Sequence, residues 1–291
     1  MSVLAIDVGG TTVKAGLVAG DGTLSHATRR PTRAADGPEA VLDTILAVAA
    51  GLATAGPVEA AGIVVPGVVD EVGGIAVWAA NIGFRDVPVR DLLAKHLGVP
   101  AALGHDVRAG GLAEARLGAG RGARYVLFVA IGTGIAAGYT VDGVPLSGAH
   151  GAAGEIGHVV VRPGGPPCGC GNRGCLEAIA SASAVARRYG SEVTAADVAA
   201  RAGAGDPRAV EVWRDTVDAL ADGLLTGLAL YDPEVVVIGG GLAEAGDALL
   251  DPLRSALRER LTFHREPRLV RAALGDEAGC LGAGLLGLAL L

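Results

Sequence analysis

Four candidate metal ligands fall within one glycine-rich segment of the chain: His158, Cys168, Cys170 and Cys175. Thiolate sulfur and imidazole nitrogen are preferred ligands of structural zinc, and one histidine with three cysteines completes a tetrahedral shell. Cys168 and Cys170 are too close in sequence for a comfortable disulfide, and four cysteines in 291 residues are too few for a disulfide scaffold. The spacing therefore predicts a structural zinc site, with a disulfide or a buried thiol as the alternative. Cys280, in an apolar context, is predicted to be a packed small hydrophobe.

Two carboxylates flank this segment, Glu155 before it and Glu177 after it. A zinc ion that fixes the loop would also fix these carboxylates, which can accept pairs of hydrogen bonds from vicinal hydroxyl groups. If His158 uses one ring nitrogen for zinc, the other can bond a hydroxyl, and Asn81 could add an amide donor and acceptor. These residues are predicted to bind a sugar, and plain solvent exposure of the two glutamates is the alternative.

A second set of residues follows the first apolar stretch of the chain, in the run DVGGTTVK. Glycines expose backbone N–H groups that an anion can approach, threonines add hydroxyl donors, and an acid at a strand end can hold hydrated magnesium. The run lacks the spacing of a Walker motif, and a tight hairpin is the alternative interpretation. The predicted nucleotide and magnesium contacts are Asp7, Gly9, Gly10, Thr11, Thr12 and Lys14.

Two further glycine-rich turns follow apolar stretches later in the chain, one with Thr133 and Gly134 and one with Gly240 and Gly241. In open α/β sheets, ligands bind beyond the carboxyl ends of the strands. The first and second glycine loops are therefore predicted to clamp a triphosphate across a cleft, and the third to approach the base or the ribose.

Asp106 lies where an apolar strand-like stretch gives way to a helical pattern. Phosphoryl transfer needs positioning, a metal ion and a carboxylate that accepts the proton of the acceptor hydroxyl. Asp106 is the best candidate for that base. The alternative is a helix N-cap, which is common for an aspartate in this position.

Composition limits the class of protein. The chain is 51% hydrophobic with a net charge of −7, which argues against a nucleic-acid surface. No signal-peptide pattern is found, and the apolar stretch 280–291 is too short to span a bilayer. We expect a cytoplasmic protein with reduced thiols that binds neither nucleic acid nor membrane.

Alternating strand and helix patterns indicate an α/β fold with mixed sheets and helices on both faces. Residues 125–143 echo the first 22 residues, because both contain an apolar strand, a Gly-x-Thr turn, a second strand and an acid-Gly turn. This echo predicts an internal repeat. In the first copy, residues 9–16 are predicted to form a glycine-rich turn and residues 17–24 the second arm of the hairpin. Residues 86–97 are predicted to be a short helix.

The whole chain resembles the ROK family of repressors, open reading frames and kinases, in the actin/hexokinase-like ATPase superfamily. The resemblance lies in the runs DVGGTTVKAG, VPGVVD, HDVRAGGLAEARLG, IGTGIAAG, GAHGAAGEIGH, CGCGNRGCLE and IGGGL. It implies a two-lobed, ribonuclease H-like α/β fold with an interlobe cleft. We expect a small lobe of residues 1–108, rejoined by a final helix at 278–291, and a large lobe of residues 109–277.

The resemblance also implies an activity and a role for each motif. Asp106 matches the base that deprotonates a sugar 6-hydroxyl, and Glu155, His158, Glu177 and Asn81 match sugar contacts. His158 and the three cysteines match the ligands of a structural zinc ion, and the glycine loops match the phosphate contacts for ATP with magnesium. The implied reaction is ATP-dependent phosphorylation of a hexose, with glucose first. The implied assembly is a homodimer or homotetramer.

Two positions depart from the family pattern, which usually has Asn before the catalytic Asp and Asn or Asp two residues after it. His105 and Arg108 stand there, and His105 could still donate a hydrogen bond to the sugar. The departure leaves two alternatives: another sugar (N-acetylmannosamine, N-acetylglucosamine, fructose or allose) or a catalytically weak sugar sensor. Separately, polyphosphate could replace ATP as the donor. The phosphate loop begins at residue 7, so we expect no DNA-binding module.

Overall fold

The computed structural model describes residues 2–190 and 192–291, in which strands and helices alternate. The strands are β1 (Ser2–Val8), β2 (Thr12–Ala19), β3 (Leu24–Pro31), β4 (Ala60–Val65), β5 (Val68–Asp70), β6 (Ile75–Ala79), β7 (Phe84–Val87), β8 (Ala101–His105), β9 (Tyr125–Ile131), β10 (Ile135–Val141), β11 (Val144–Pro145), β12 (Val235–Gly239) and β13 (Arg268–Arg271). The helices are α1 (Pro38–Ala53), α2 (Val89–Leu97), α3 (Asp106–Arg116), α4 (Leu176–Ala180), α5 (Ala182–Tyr189), α6 (Ala195–Gly203), α7 (Pro207–Tyr231), α8 (Asp247–Arg260) and α9 (Ala278–Leu288).

Two five-stranded sheets share one topology. Their strand orders are β3-β2-β1-β4-β8 and β11-β10-β9-β12-β13, and β5-β6-β7 form a smaller sheet. In each large sheet the central strand pairs antiparallel with the next strand of the chain and parallel with a later one. The matching orders confirm the internal repeat and the mixed α/β architecture.

The chain divides into two compact units. The first contains Met1–Leu117, Pro145–Ala153 and Asp276–Leu291, and the second contains Gly118–Val144 and Gly154–Gly275. The sequence placed the first boundary at residue 108, inside what the structure shows to be the continuous helix α3. The division falls after α3 instead, since that helix packs as a whole against α9 within the first unit.

Glycines let α9 pack closely in the first unit. A Cβ atom added at Gly62 of β4 would lie 1.8 Å from the carbonyl oxygen of Ala283, and one added at Gly282 would lie 2.2 Å from that of Ala109. Any larger side chain would push α9 away from β4 or from α3. The close approach lets a short apolar helix cover strands whose residues are fully buried.

Helix α7 is the central helix of the second unit. It begins with Pro207 after Asp206, whose side chain accepts a hydrogen bond from Ala209 N, so both cap and first residue suit a helix start. Arg162, in the cysteine segment, donates to Asp222 of α7 at 2.5 Å, and Arg260 of α8 donates to the same carboxylate at 2.7 Å. These ion pairs join the cysteine segment to two helices.

Two predicted element boundaries are wrong. Strand β2 begins at Thr12, because the turn after β1 needs only residues 9–11 and the following β-branched residues suit a strand. Helix α2 begins at Val89 rather than at residue 86, because Asp86 has a positive φ of 51° and Pro88 precedes the first turn. Among residues 2–190 and 192–291, we find no helix with both the length and the apolar character of a membrane span.

Candidate active site

The first glycine loop is held by its own backbone and by one threonine. Gly9 N donates to the carbonyl oxygen of Thr12 at 2.9 Å, and Thr32 Oγ1 donates to that of Gly9 at 2.6 Å. Thr11 is exposed at the tip. A Cβ atom at Gly10 would lie 3.4 Å from Cβ of Asn81, so the structure brings the predicted sugar contact beside the predicted phosphate loop.

Asp7 is the next-to-last residue of β1, just before this loop, and has little space around it. A Cβ atom at Gly279 of α9 would lie 2.5 Å from Asp7 Oδ2, which shows why that helix begins with a glycine-rich turn. The pKa of Asp7 is raised from 3.8 to about 7, chiefly by burial; the carboxylates of Asp106 and Asp276 contribute to the rise, and Lys14 opposes it. Two carboxylates close enough to repel each other make an oxygen donor set that suits magnesium.

This pKa shift predicts a stability effect. The folded state holds the Asp7 proton more tightly than the unfolded state, so the parent protein loses stability as pH rises from about 4 to about 7. Three pKa units correspond to roughly 4 kcal/mol at most. We therefore expect Asp7→Asn to be more stable than the parent at pH 8, and we expect this gain in stability to be much smaller at pH 4. The measurement is urea unfolding without added magnesium. Asp21→Asn, at an exposed turn, is the control, and equal pH profiles for Asp7→Asn and the parent would refute the shift.

Lys14 lies on β2 opposite Asp7 in the strand register, but its ammonium group bonds to Asp276. Arg29 Nη1 pairs with the other oxygen of the same carboxylate at 2.6 Å. The predicted nucleotide contact therefore has a carboxylate partner in this structure, and its role with ATP stays a prediction. Sequence reasoning missed Asp276, although an acid just before the glycine-rich last helix could have signalled it.

The junction of β8 and α3 carries the predicted base. Asp106 is the first residue of α3 and remains 27% exposed. His105 is the N-cap, because its Nδ1 atom accepts from Arg108 N at 3.4 Å. The structure thus gives the capping role to His105 rather than to Asp106. His105 is only 5% exposed, so its predicted contact with the sugar stays a prediction.

Sequence reasoning also missed Glu71, which pairs with Arg108. Arg108 drew notice only as a departure from a family pattern, and no local feature of the sequence connects it with a residue 37 positions earlier. The pair lies directly beside the His105–Asp106 junction, since Glu71 Oε1 is 3.4 Å from His105 N.

In the second unit, the predicted sugar contact Glu177 and the third glycine loop lie against the second glycine loop. Ile135 N, at the end of the loop, donates to Glu177 Oε2 at 2.9 Å, and a Cβ atom at Gly134 would lie 2.6 Å from that oxygen. Gly240 has a φ of +78° and packs against the backbone of Ile131, just before the loop. Glu177 therefore contacts the second glycine loop instead of being merely solvated. Thr133 is exposed at the tip, and Gly241 follows Gly240 at the turn.

The four candidate metal ligands converge in the second unit. Their ligand atoms all lie within 4.8 Å of one another, with Cys168 Sγ 3.6 Å from His158 Nδ1 and Cys170 Sγ 3.7 Å from Cys175 Sγ. Ligands placed tetrahedrally around zinc are about 3.5–3.8 Å apart for sulfur and nitrogen at normal bond lengths. Burial and the neighbouring thiols raise the pKa of Cys175 to about 12, a cost that a cation would remove.

His158 connects this cluster with one of the flanking carboxylates. Its Nδ1 atom faces Cys168, and its Nε2 atom lies 3.8 Å from Glu155 Oε2. Leu176 N donates to the carbonyl oxygen of Val159 at 2.9 Å, which places the start of α4, and with it Glu177, beside the same loop. The four candidate ligands therefore lie beside the segments that carry both glutamates, and fixation of those segments by zinc stays a prediction.

Comparisons with known proteins agree along the whole chain. The sequence matches the ROK family over residues 3–289. It is 35% identical to a glucokinase of Thermotoga maritima, covering 97% of this chain and 96% of that protein. The fold is similar to that of a ROK hexokinase from Thermus thermophilus, with a TM-score of 0.89, 36% identity and coverage of 100% of this chain and 99% of that one. It is also similar to a ROK family glucokinase from Streptomyces griseus solved with glucose and AMPPNP (TM-score 0.85, 31% identity, 99% of each chain covered).

Proposed function

Because this chain belongs to the ROK family, we propose that it is a sugar kinase that transfers the γ-phosphoryl group of ATP to the 6-hydroxyl of glucose. The observation that carries the proposal is the carboxylate pair of the first unit. Asp106 is partly exposed at a helix start, and it lies close enough to Asp7 to raise the pKa of that carboxyl. One carboxylate can accept a proton while the other holds the cation that accompanies ATP.

In the proposed reaction, Asp106 accepts the proton of the sugar 6-hydroxyl while the hydroxyl oxygen forms a bond to the γ-phosphorus. The bond from that phosphorus to the β–γ bridging oxygen breaks, and ADP leaves. Asp7 would hold hydrated magnesium, which neutralises charge on the phosphates. The loop backbones at Gly9–Gly10 and at Gly134 would donate to phosphate oxygens, together with the hydroxyls of Thr11, Thr12 and Thr133, and Lys14 would add a cation. Gly240 and Gly241 would lie against the nucleoside.

The remaining residues would select the sugar. Asn81 and Glu155 are exposed, and His158 and Glu177 are half-buried, so each of these side chains is accessible from solvent in its own unit. His105 would contribute through its ring. A zinc ion at His158, Cys168, Cys170 and Cys175 would serve structure, because four protein ligands leave no open position for chemistry. Homodimeric or homotetrameric assembly and a cytoplasmic location remain proposals drawn from the sequence.

One observation favours a second candidate, a sugar-sensing protein with weak catalysis. His105 and Arg108 are both buried at the catalytic junction, where family members usually have smaller polar residues. A sensor of this kind would bind sugar without releasing ADP.

An acceptor panel distinguishes the two. We expect ADP release with ATP, magnesium and glucose, with a kcat/KM for glucose about tenfold or more above those for fructose, allose, N-acetylglucosamine and N-acetylmannosamine. The measurement is a coupled ADP assay with polyphosphate as an alternative donor. 6-Deoxyglucose is the matched control, since it lacks only the accepting hydroxyl.

Binding of glucose by calorimetry without ADP release from any sugar would reject the kinase in favour of the sensor. Release with 6-deoxyglucose equal to that with glucose would reject the 6-hydroxyl as the acceptor.

A further inference from the structure

A buried charge lies in the first turn of α3, two residues after Asp106. Arg108 is only 1% exposed. Its Nε and Nη2 atoms donate to Glu71 Oε1 at 3.0 and 2.9 Å, and its Nη1 atom donates to the carbonyl oxygen of Gly151 at 2.8 Å. A buried guanidinium is costly unless it is paired and hydrogen-bonded, so these contacts fix its position.

The same contacts extend to the residue before the predicted base. Glu71 Oε1 lies 3.4 Å from His105 N, and Arg108 N lies 3.4 Å from His105 Nδ1. Glu71, Arg108 and His105 therefore form a closed ring of contacts. The backbone that leads into Asp106 cannot rotate without breaking one of them.

Arg108 also holds the loop of residues 147–153 within the first unit. Gly151 has a φ of +71°, and a Cβ atom there would lie 2.4 Å from the carbonyl oxygen of Val69 in β5. Glu71 directly follows β5, so the strand, the loop and α3 meet at one guanidinium. The loop and Glu71 also line a cavity of about 400 Å³, so packing covers only part of the loop. In sequence, the loop leads into Gly154 and Glu155.

We propose that Glu71 and Arg108 are positioning residues that keep Asp106 aimed at the acceptor hydroxyl and keep loop 147–153 in its place. The inference rests on the proposed kinase function. Reacting groups misplaced by about 1 Å lose on the order of 100-fold in rate. A lysine ammonium cannot reproduce the planar fork that serves Glu71 and Gly151 together, so Arg108→Lys keeps the charge and removes the alignment.

Three variants test this proposal: Arg108→Lys, Glu71→Gln and the double variant. We expect each single variant to lower kcat roughly 10- to 100-fold, with the KM for ATP within about twofold of the parent value. The kcat of the double variant should be no lower than that of the less active single variant, because both changes break the same ring of contacts. Amide hydrogen exchange should speed up in residues 104–109 and 147–153.

Arg90→Lys is the matched control. Arg90 donates to the carbonyl oxygen of Val72 at 2.8 Å and to Asp91. It therefore contacts the residue that follows Glu71 in the sequence, but it lies outside the junction of β8 and α3. We expect this variant to keep the kcat, the KM values and the exchange rates of the parent. Thermal unfolding of every variant gives the folded fraction, to which each rate is normalised.

The outcomes separate this inference from the proposed function. A parent protein that phosphorylates no sugar rejects the function, and hydrogen exchange alone then decides the positioning role. If the parent is active and the variants keep kcat within twofold per folded molecule, the positioning role is wrong. Unchanged exchange in both segments would also overturn it.

Discussion

We expect Asp106→Asn to lower kcat by about 10²- to 10⁴-fold while the dissociation constant for sugar stays within about threefold. Asparagine keeps the size and the hydrogen-bonding edge of the side chain, but its amide cannot take a proton from the acceptor hydroxyl. The measurement combines the coupled ADP assay with calorimetric titration of glucose. The loss should therefore fall on turnover rather than on binding.

Folding should not explain that loss. Asp106 is at the first position of α3, where a carboxylate is stabilised by about 0.3–1 kcal/mol at a helix N-terminus, but it also repels Asp7. The two effects oppose each other in the variant. Asp247→Asn, at the first position of α8, is the matched control and should keep full activity. An Asp106→Asn enzyme with more than about one hundredth of the parent kcat would exclude this residue as the base.

We expect Cys175→Ser to abolish stoichiometric zinc binding and to destabilise the second unit. Cys175 is fully buried and its sulfur lies among the other three ligands, so a serine leaves a buried, incomplete shell. A loss of roughly 3–5 kcal/mol would lower the melting temperature by about 10 °C. The KM for glucose should rise about tenfold or more, because the segments that carry Glu155 and Glu177 are joined by this loop.

Zinc content by elemental analysis, thermal unfolding and sugar kinetics give the three readouts. Cys280→Ser is the control for the loss of a buried thiol, since Cys280 lies in α9, in the other unit, and its sulfur contacts the carbonyl oxygen of Ala5 at 3.8 Å. It should keep one zinc ion per chain. A Cys175→Ser protein that is metal-free yet as stable and as active as the parent would refute the structural role of the ion.

Some features followed from short stretches of sequence. The spacing of the three cysteines and His158 was sufficient to predict that these side chains come together, because a glycine-rich segment leaves near neighbours in the chain few other arrangements. The repeat was also visible, since an apolar strand, a glycine turn and a second strand produce the same hairpin twice. The candidate base, Asp106, lies between β8 and α3 as its sequence context indicates, and the capping residue is His105.

The sequence by itself determined the repeated α/β fold, the four converging candidate metal ligands and the strand-end glycine loops, because each depends on local periodicity or on residues close in the chain. Only the tertiary structure decided the partners of Arg108, Lys14 and Glu177. Each of these side chains meets a group at least 37 residues away, and charge alone cannot choose among many possible partners. That choice follows from how sheets and helices pack, which brings distant segments within hydrogen-bonding reach and, at Arg108, buries a charge that must then be paired.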